Sequence, residues 1–222
     1  LTLIGLLLCS LVLLAEPLRA QEDDTAPIIA TETRENGTLT VTVEGVDGPL
    51  RDNVLAYLEL NRFAGKTTPD ETRLRWLHAR AETQIHEALQ PFGYYEPIIE
   101  STLNRTANGW EARYRIQPGR PLRIATLDIQ VIGEGGQDPA FQALLAQLPL
   151  APGQILDQPK YEQIKQTLET RATERGYFDA RFTESAIRVD LQAYEAAIRV
   201  RYDTGQRYRF GALTFKQDCL SP

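Results

Sequence analysis

The sequence predicts an α+β protein made of two tandem units, each ordered strand, helix, helix, strand, strand. Each unit forms a three-stranded mixed sheet with two helices covering one face. Three correspondences at nearly constant spacing carry this prediction. Leu39-Thr40-Val41-Thr42-Val43-Glu44-Gly45 matches Leu127-Asp128-Ile129-Gln130-Val131-Ile132-Gly133, 88 residues later, as L-x-[VI]-x-V-x-G. Phe92-Gly93-Tyr94-Tyr95 returns as Arg175-Gly176-Tyr177-Phe178 after 83 residues, and Gly119-Arg120-Pro121-Leu122-Arg123-Ile124 as Gly205-Gln206-Arg207-Tyr208-Arg209-Phe210 after 86. Self-similarity at a fixed period marks a repeat architecture, in which each period is one structural unit.

The elements follow in chain order. Leu1 to Ala15 is apolar, ends at Glu16 and is followed by Pro17-Leu18-Arg19-Ala20. At about 1.5 Å per residue this run falls short of a ~30 Å hydrocarbon core, and it reads as an export signal, residues 1–20, cut after Ala20. Residues 21–36 form a polar leader that opens acidic. With Cys9 removed by cleavage, Cys219 has no intramolecular partner, so core packing alone must hold the mature protein together.

The first unit spans residues 37–119. Leu39 to Gly45 alternates apolar and polar residues, the pattern of a half-buried strand ending in a turn. A short helix is expected over Asp52 to Leu60. Pro69-Asp70-Glu71 starts a longer one, in which Leu74, Leu77, Ala81, Ile85, Ala88 and Phe92 recur at steps of three and four. Gly93 stands where a helix ends in the left-handed conformation. A hairpin then pairs Tyr94 to Leu103 with Trp110 to Gln117 across a polar turn at Asn108-Gly109.

The second unit, residues 120–204, repeats this plan. A strand ends at Gly133, and Asp138-Pro139 caps a short helix to Leu148. Pro159 starts a long helix with the stripe Tyr161, Ile164, Leu168 and Ala172, and Gly176 ends it. Tyr177 to Val189 and Tyr194 to Tyr202 form the hairpin. Residues 205–222 begin a third unit: Arg207 to Lys216 repeats the opening strand, with Leu213 and Phe215 at its apolar positions, and the chain stops inside a tandem array.

Few chemistries fit this sequence. The net charge is −6 with acidic and basic residues interspersed, so the basic stripe that captures nucleic acid is missing. His78, Glu82 and His86 share one helix face, but they lie beside the apolar stripe with no further ligand pattern nearby and read as boundary side chains. Gly133-Glu134-Gly135-Gly136 lacks the spacing and the lysine of a phosphate loop and reads as a turn. No G-x-S-x-G and no surviving Cys-His pair occurs, so the chain is expected to be no enzyme and to need no metal or cofactor. The aromatic pairs Tyr94-Tyr95 and Tyr177-Phe178 read as core packing ahead of a binding platform.

The Gly-Tyr-[Tyr/Phe] step and the Gly-x-x-[Leu/Tyr]-Arg-[Ile/Phe] entry, in tandem β-α-α-β-β units behind an export signal, resemble POTRA domains. Those are the periplasmic modules of the outer-membrane assembly superfamily. Within it, Gly45-Val46-Asp47-Gly48 and Asn53-Val54-Leu55-Ala56-Tyr57-Leu58 are most similar to the autotransporter assembly factor, the outer-membrane subunit of the translocation and assembly module. The resemblance implies a periplasmic module that receives unfolded outer-membrane protein clients, or contacts an inner-membrane-anchored partner subunit, with membrane attachment only through a C-terminal barrel absent from this chain. It also implies that the second strand of each sheet is an edge. Edge strands carry unpaired N–H and C=O groups that can add an extended segment whatever its side chains. The binding candidates are Tyr95, Ile98, Ile99 and Ser101 in the first unit and Phe178, Ala180, Phe182 and Glu184 in the second, with Pro97, Asp179, Arg181 and Glu184 as edge protection. The competing reading is a POTRA-bearing interaction protein of a division or secretion complex, with Leu1–Ala15 extended upstream into an uncleaved inner-membrane anchor.

Overall fold

The computed structural model describes residues 37–212 and Thr214. The expected export signal and polar leader, and Leu213 and Phe215 of the expected third-unit strand, lie outside those residues. The described residues belong to one compact unit, and two repeats lie within it.

The first repeat runs β1 (Thr38–Glu44), α1 (Gly48–Tyr57), a 3-10 turn (Glu59–Phe63), α2 (Glu71–Leu89), a second 3-10 turn (Gln90–Phe92), β2 (Ile98–Thr106) and β3 (Gly109–Gln117). The second runs β4 (Arg123–Ile132), a 3-10 turn (Glu134–Gln137), α3 (Pro139–Leu145), α4 (Gln158–Arg175), β5 (Arg181–Asp190) and β6 (Glu195–Asp203). The sheets have the orders β1-β3-β2 and β4-β6-β5. In each, the central strand is parallel to the first strand and antiparallel to the second. The mixed three-stranded sheet with two helices is therefore present twice.

Local chemistry sets the helix ends. Asp70 accepts the Arg73 N–H at 3.0 Å and Asp157 the Lys160 N–H at 3.1 Å, so each long helix starts on a capping carboxylate. Each long helical segment ends at a glycine with positive φ, Gly93 at +82° and Gly176 at +84°, a conformation that costs a residue with a Cβ. One stripe of each helix then faces the sheet. Leu74, Leu77, Ala81, Ile85 and Ala88 of α2 pack with Leu39, Val43, Trp110, Ala112, Tyr114 and Ile116. Tyr161, Ile164, Leu168 and Ala172 of α4 pack with Ile124, Phe141, Ala196, Ile198, Val200 and Tyr202. Each fully buried Leu or Ile contributes roughly 1.5–3 kcal/mol, so each repeat carries its own core.

Several boundaries differ from the sequence expectation. The first hairpin strands begin at Ile98 and Arg181, not at Tyr94 and Tyr177. The Tyr94 and Tyr177 amides are spent closing the preceding helices, on the carbonyls of Leu89 and Ala172, and Pro97 has no N–H to give a ladder. The short helix of the first repeat begins at Gly48, four residues before Asp52, with Pro49 in its first turn, where a missing N–H costs nothing. The short helix of the second repeat stops at Leu145 instead of Leu148. Residues 206–212 are irregular.

Candidate protein-interaction edges

The sheet order leaves β2 and β5 on the outside. The opposite edges are partly taken up by the fold itself. The Leu39 N–H donates to the Lys66 carbonyl at 3.3 Å while Gly65 N–H donates to Leu39, so a loop pairs with the start of β1. In the second repeat, Ile124 N–H donates to Gln154 at 2.8 Å and Gly153 N–H to Ile124 at 2.7 Å, covering the start of β4.

The two remaining edges are unequal. β2 pairs with β3 in one unbroken register from Ile98↔Gln117 to Thr106↔Gly109, an edge about 30 Å long at ~3.4 Å per residue. Its only charged residues are Glu100 and Arg105, and Ile98 is 61% exposed. β5 has a register break between Phe182 and Glu184 and carries Arg181, Glu184, Arg188 and Asp190. A bulge and a charged edge are the usual means of blocking strand addition.

The candidate side chains divide accordingly. Ile98, Ile99 and Ser101 lie in β2, with Ser101 exposed and Ile99 packed against the core. Tyr95 precedes the strand and packs against the core of the second repeat. Phe178 and Ala180 precede β5; Phe178 is 65% exposed beside Tyr208, and Ala180 packs on the core. Phe182 lies in β5, but its ring packs against Tyr202 with centroids 4.6 Å apart. Glu184 pairs loosely with Arg199 at 3.6 Å. Tyr161 of α4 shares a hydrogen bond with Ser185 of β5 at 2.5 Å, which fastens that edge to its helix.

On the outer face of the first sheet, Arg115 lies 3.5 Å from both Glu44 and Glu100, and Arg113 lies 3.0 Å from Glu111. In the second, Arg201 donates to Asp128 at 2.5 Å and holds that carboxyl below its ordinary range. Solvated pairs of this kind contribute about 0–1 kcal/mol each, so they keep the face soluble without selecting a partner. His78 donates to or accepts from the Tyr114 hydroxyl at 3.0 Å, which places it at the core boundary. The amides of the Gly133–Gly136 turn are spent internally: Gly135 N–H on the Thr204 hydroxyl at 2.8 Å, Gly136 on Gly133, and Glu134 on Gly205.

Residues 40–118 match the family model described as POTRA domain TamA domain 1, and residues 128–205 match the POTRA model described as surface antigen variable number repeat. The chain carries two POTRA domains. Its tandem POTRA domains are similar to Haemophilus influenzae BamA POTRA3-5, at 17% identity over 82% of this chain and 73% of that one, TM-score 0.39. They are also similar to POTRA1-2 of Omp85 from Anabaena, at 17% identity over 78% and 96%, TM-score 0.32. CdiB from Escherichia coli matches at 13% identity over 84% of this chain and 30% of its own length, TM-score 0.27.

One feature of the POTRA pair escaped the sequence reading. An acidic residue follows the Gly-Tyr-aromatic step in both repeats, as Gly93-Tyr94-Tyr95-Glu96 and Gly176-Tyr177-Phe178-Asp179. In both places its carboxylate accepts a tyrosine hydroxyl, Tyr194 on Glu96 and Tyr208 on Asp179. The signal was present in the repeat, and alignment of the two steps one residue further would have found it.

Proposed function

We propose that this chain is the periplasmic part of an outer-membrane protein assembly factor, and that it receives extended client segments by strand addition on β2 of the first POTRA domain. The observation that carries the reading is the unbroken, weakly charged edge of β2, set against the bulged and charged edge of β5. Main-chain pairing along β2 accepts any extended sequence, and this suits a receptor for many barrel precursors better than a pocket would. The description of the model matching residues 40–118 supports the finer assignment, an autotransporter assembly factor of the translocation and assembly module. On that reading the chain works at the periplasmic side of the outer membrane, beside an inner-membrane-anchored partner subunit, as an interaction module with no catalytic role.

Site-specific photo-crosslinking tests this. A photoreactive residue at Thr102 should capture an unfolded barrel-strand peptide, whereas one at Arg188 in β5 should capture much less. Successive N–H groups of an edge strand point alternately to the ladder and to solvent, so one of Ser101→Pro and Thr102→Pro removes an outward donor. That variant should lose capture with its circular dichroism unchanged. Equal capture at Arg188, or capture indifferent to both prolines, contradicts the assignment.

A further inference from the structure

Two seams join the POTRA domains, three residues apart in the segment that leads from the long helix of the first domain to β2. The first lies at the helix-ending glycine, where Leu122 N–H donates to the Gly93 carbonyl at 2.8 Å and Tyr95 packs on the core of the second domain. Contact along this one line leaves rotation about it as a soft motion. The second lies at Glu96, three residues on, just ahead of β2. Gly119 of the connecting segment approaches so closely that a Cβ there would stand 2.6 Å from the Glu96 carbonyl oxygen. The Glu96 carboxylate accepts the hydroxyl of Tyr194.

Tyr194 comes from the β5–β6 turn of the second domain. It has φ +59° and is the one non-glycine residue with positive φ among the described residues. An L residue avoids this region unless its surroundings hold it there. Several contacts do so. The Asp190 carboxylate accepts the Gln192 and Ala193 amides and shapes the turn. The Tyr194 carbonyl accepts the Arg123 N–H at 3.3 Å. The Arg120 guanidinium covers the ring at 4.6 Å from its centroid, and Tyr194 is 8% exposed.

We infer that Tyr194, Glu96 and Arg120 form a clasp that removes the hinge freedom of the Gly93–Leu122 seam, so that the two POTRA domains move as one rigid body. The strained tyrosine is then explained by its task, since the turn it closes sets its ring beneath Arg120 and its hydroxyl on Glu96. The second repeat has an equivalent acid. Asp179 takes the place of Glu96, and among the described residues its carboxylate accepts the hydroxyl of Tyr208 of the following segment, at 2.7 Å. The clasp ends one residue before Pro97 and two before β2. On the strand-addition reading it therefore also holds the receiving edge at a set orientation to the second domain. That consequence rests on the proposed function; the rigidity does not.

Distance measurement between two nitroxide labels tests the clasp without any client. With Cys9 and Cys219 replaced by Ser, labels at the exposed positions Glu87 of α2 and Gln166 of α4 report one domain each. The parent protein should give a single narrow distance distribution. Tyr194→Phe, which keeps the ring beneath Arg120 and removes only the hydroxyl, should broaden or split it, and Glu96→Ala should do the same. Circular dichroism of both variants checks that the domains stay folded. A parent distribution already broad, or an unchanged width in the folded Tyr194→Phe protein, overturns the inference. Because no client is present, this result is separate from the fate of the β2 edge, which the crosslinking at Thr102 decides.

Discussion

The Arg175 guanidinium, at the last residue of α4, donates to the Asp138 carboxylate, the cap of α3, at 3.0 Å. The same carboxylate accepts the Ala140 N–H at 3.0 Å and the Tyr177 hydroxyl at 3.3 Å. One nearly buried acid thus ties together the start of the short helix, the end of the long helix and the Gly-Tyr step that follows. Asp138→Ala removes a helix cap and the partner of a half-exposed arginine, and should cost about 2 kcal/mol, less than the 3–5 kcal/mol of a fully buried pair. Urea unfolding followed by a probe in the second repeat checks this.

The same site sets an acid limit. Burial alone would raise the Asp138 carboxyl, but the Ala140 amide, Arg175 and the Tyr177 hydroxyl outweigh it and hold the group below 3.8. The folded state therefore binds its proton less readily than the unfolded chain. The stability from this group is complete above about pH 3.8 and is lost as pH falls through the lower folded value. Between pH 5 and 2 the urea midpoint of the second repeat should fall more steeply in the parent than in Asp138→Asn; equal slopes would contradict this.

In the first repeat the sensitive group is His78. Burial beside Tyr114 favours the neutral imidazole and lowers its pKa from 6.5. The folded state resists protonation, so its contribution is present above about pH 6.5 and declines as pH falls from there through the folded value. Proton NMR of the His78 ring should show a midpoint below 6.5. A midpoint at or above 6.5 would show that the ring is solvated.

The repeat and its periodicities made much of this fold legible. Helix stripes, capping carboxylates and both helix-ending glycines follow from 3.6-residue spacing and from the glycine-only conformation at Gly93 and Gly176. Central strands such as Trp110, Ala112, Tyr114 and Ile116 alternate cleanly because one face is buried and the other wet. The first strand of each hairpin was harder to place, since aromatic residues at Tyr94-Tyr95 and Tyr177-Phe178 look like strand to any local rule while their amides and rings serve the helix end and the domain junction. The difference between the two edges was also hidden. A bulge at Thr183 depends on pairing with a distant strand, and nothing local to Arg181–Ser185 announces it. Tyr194 looks locally like the start of a strand, and its left-handed turn arises from contacts with Arg120, Arg123 and, in the other domain, Glu96, all distant in sequence.

The junction glycine should be irreplaceable. A Cβ at Gly93 would meet the Leu122 and Leu156 carbonyl oxygens at 3.1 Å, in a backbone with φ +82°. Gly93→Ala should cost about 2 kcal/mol, of which roughly 1–2 kcal/mol is the left-handed conformation itself. Thermal unfolding checks this, with Gly153→Ala as the comparison, since at Gly153 φ is also positive but a Cβ would meet nothing within 4 Å.

Because each repeat has its own core, Ile85→Ala and Leu168→Ala should each destabilise by about 3 kcal/mol and act chiefly on the repeat that contains them. Both residues are fully buried. Amide exchange resolved by residue should show the loss of protection concentrated in α2, β1 and β3 for the first, and in α4, β4 and β6 for the second.

The central claim is that β2 adds a client strand, and amide exchange along Ile98–Thr106 tests it most directly. Strand addition protects the outward N–H groups and leaves those already bonded to β3 unchanged, so protection should rise at every second residue when an unfolded barrel-strand peptide is added. β5 should show no such alternation. Alternating protection confined to β2 is the predicted result. Unchanged exchange along β2, with new protection on β5 or on the helices instead, would contradict it.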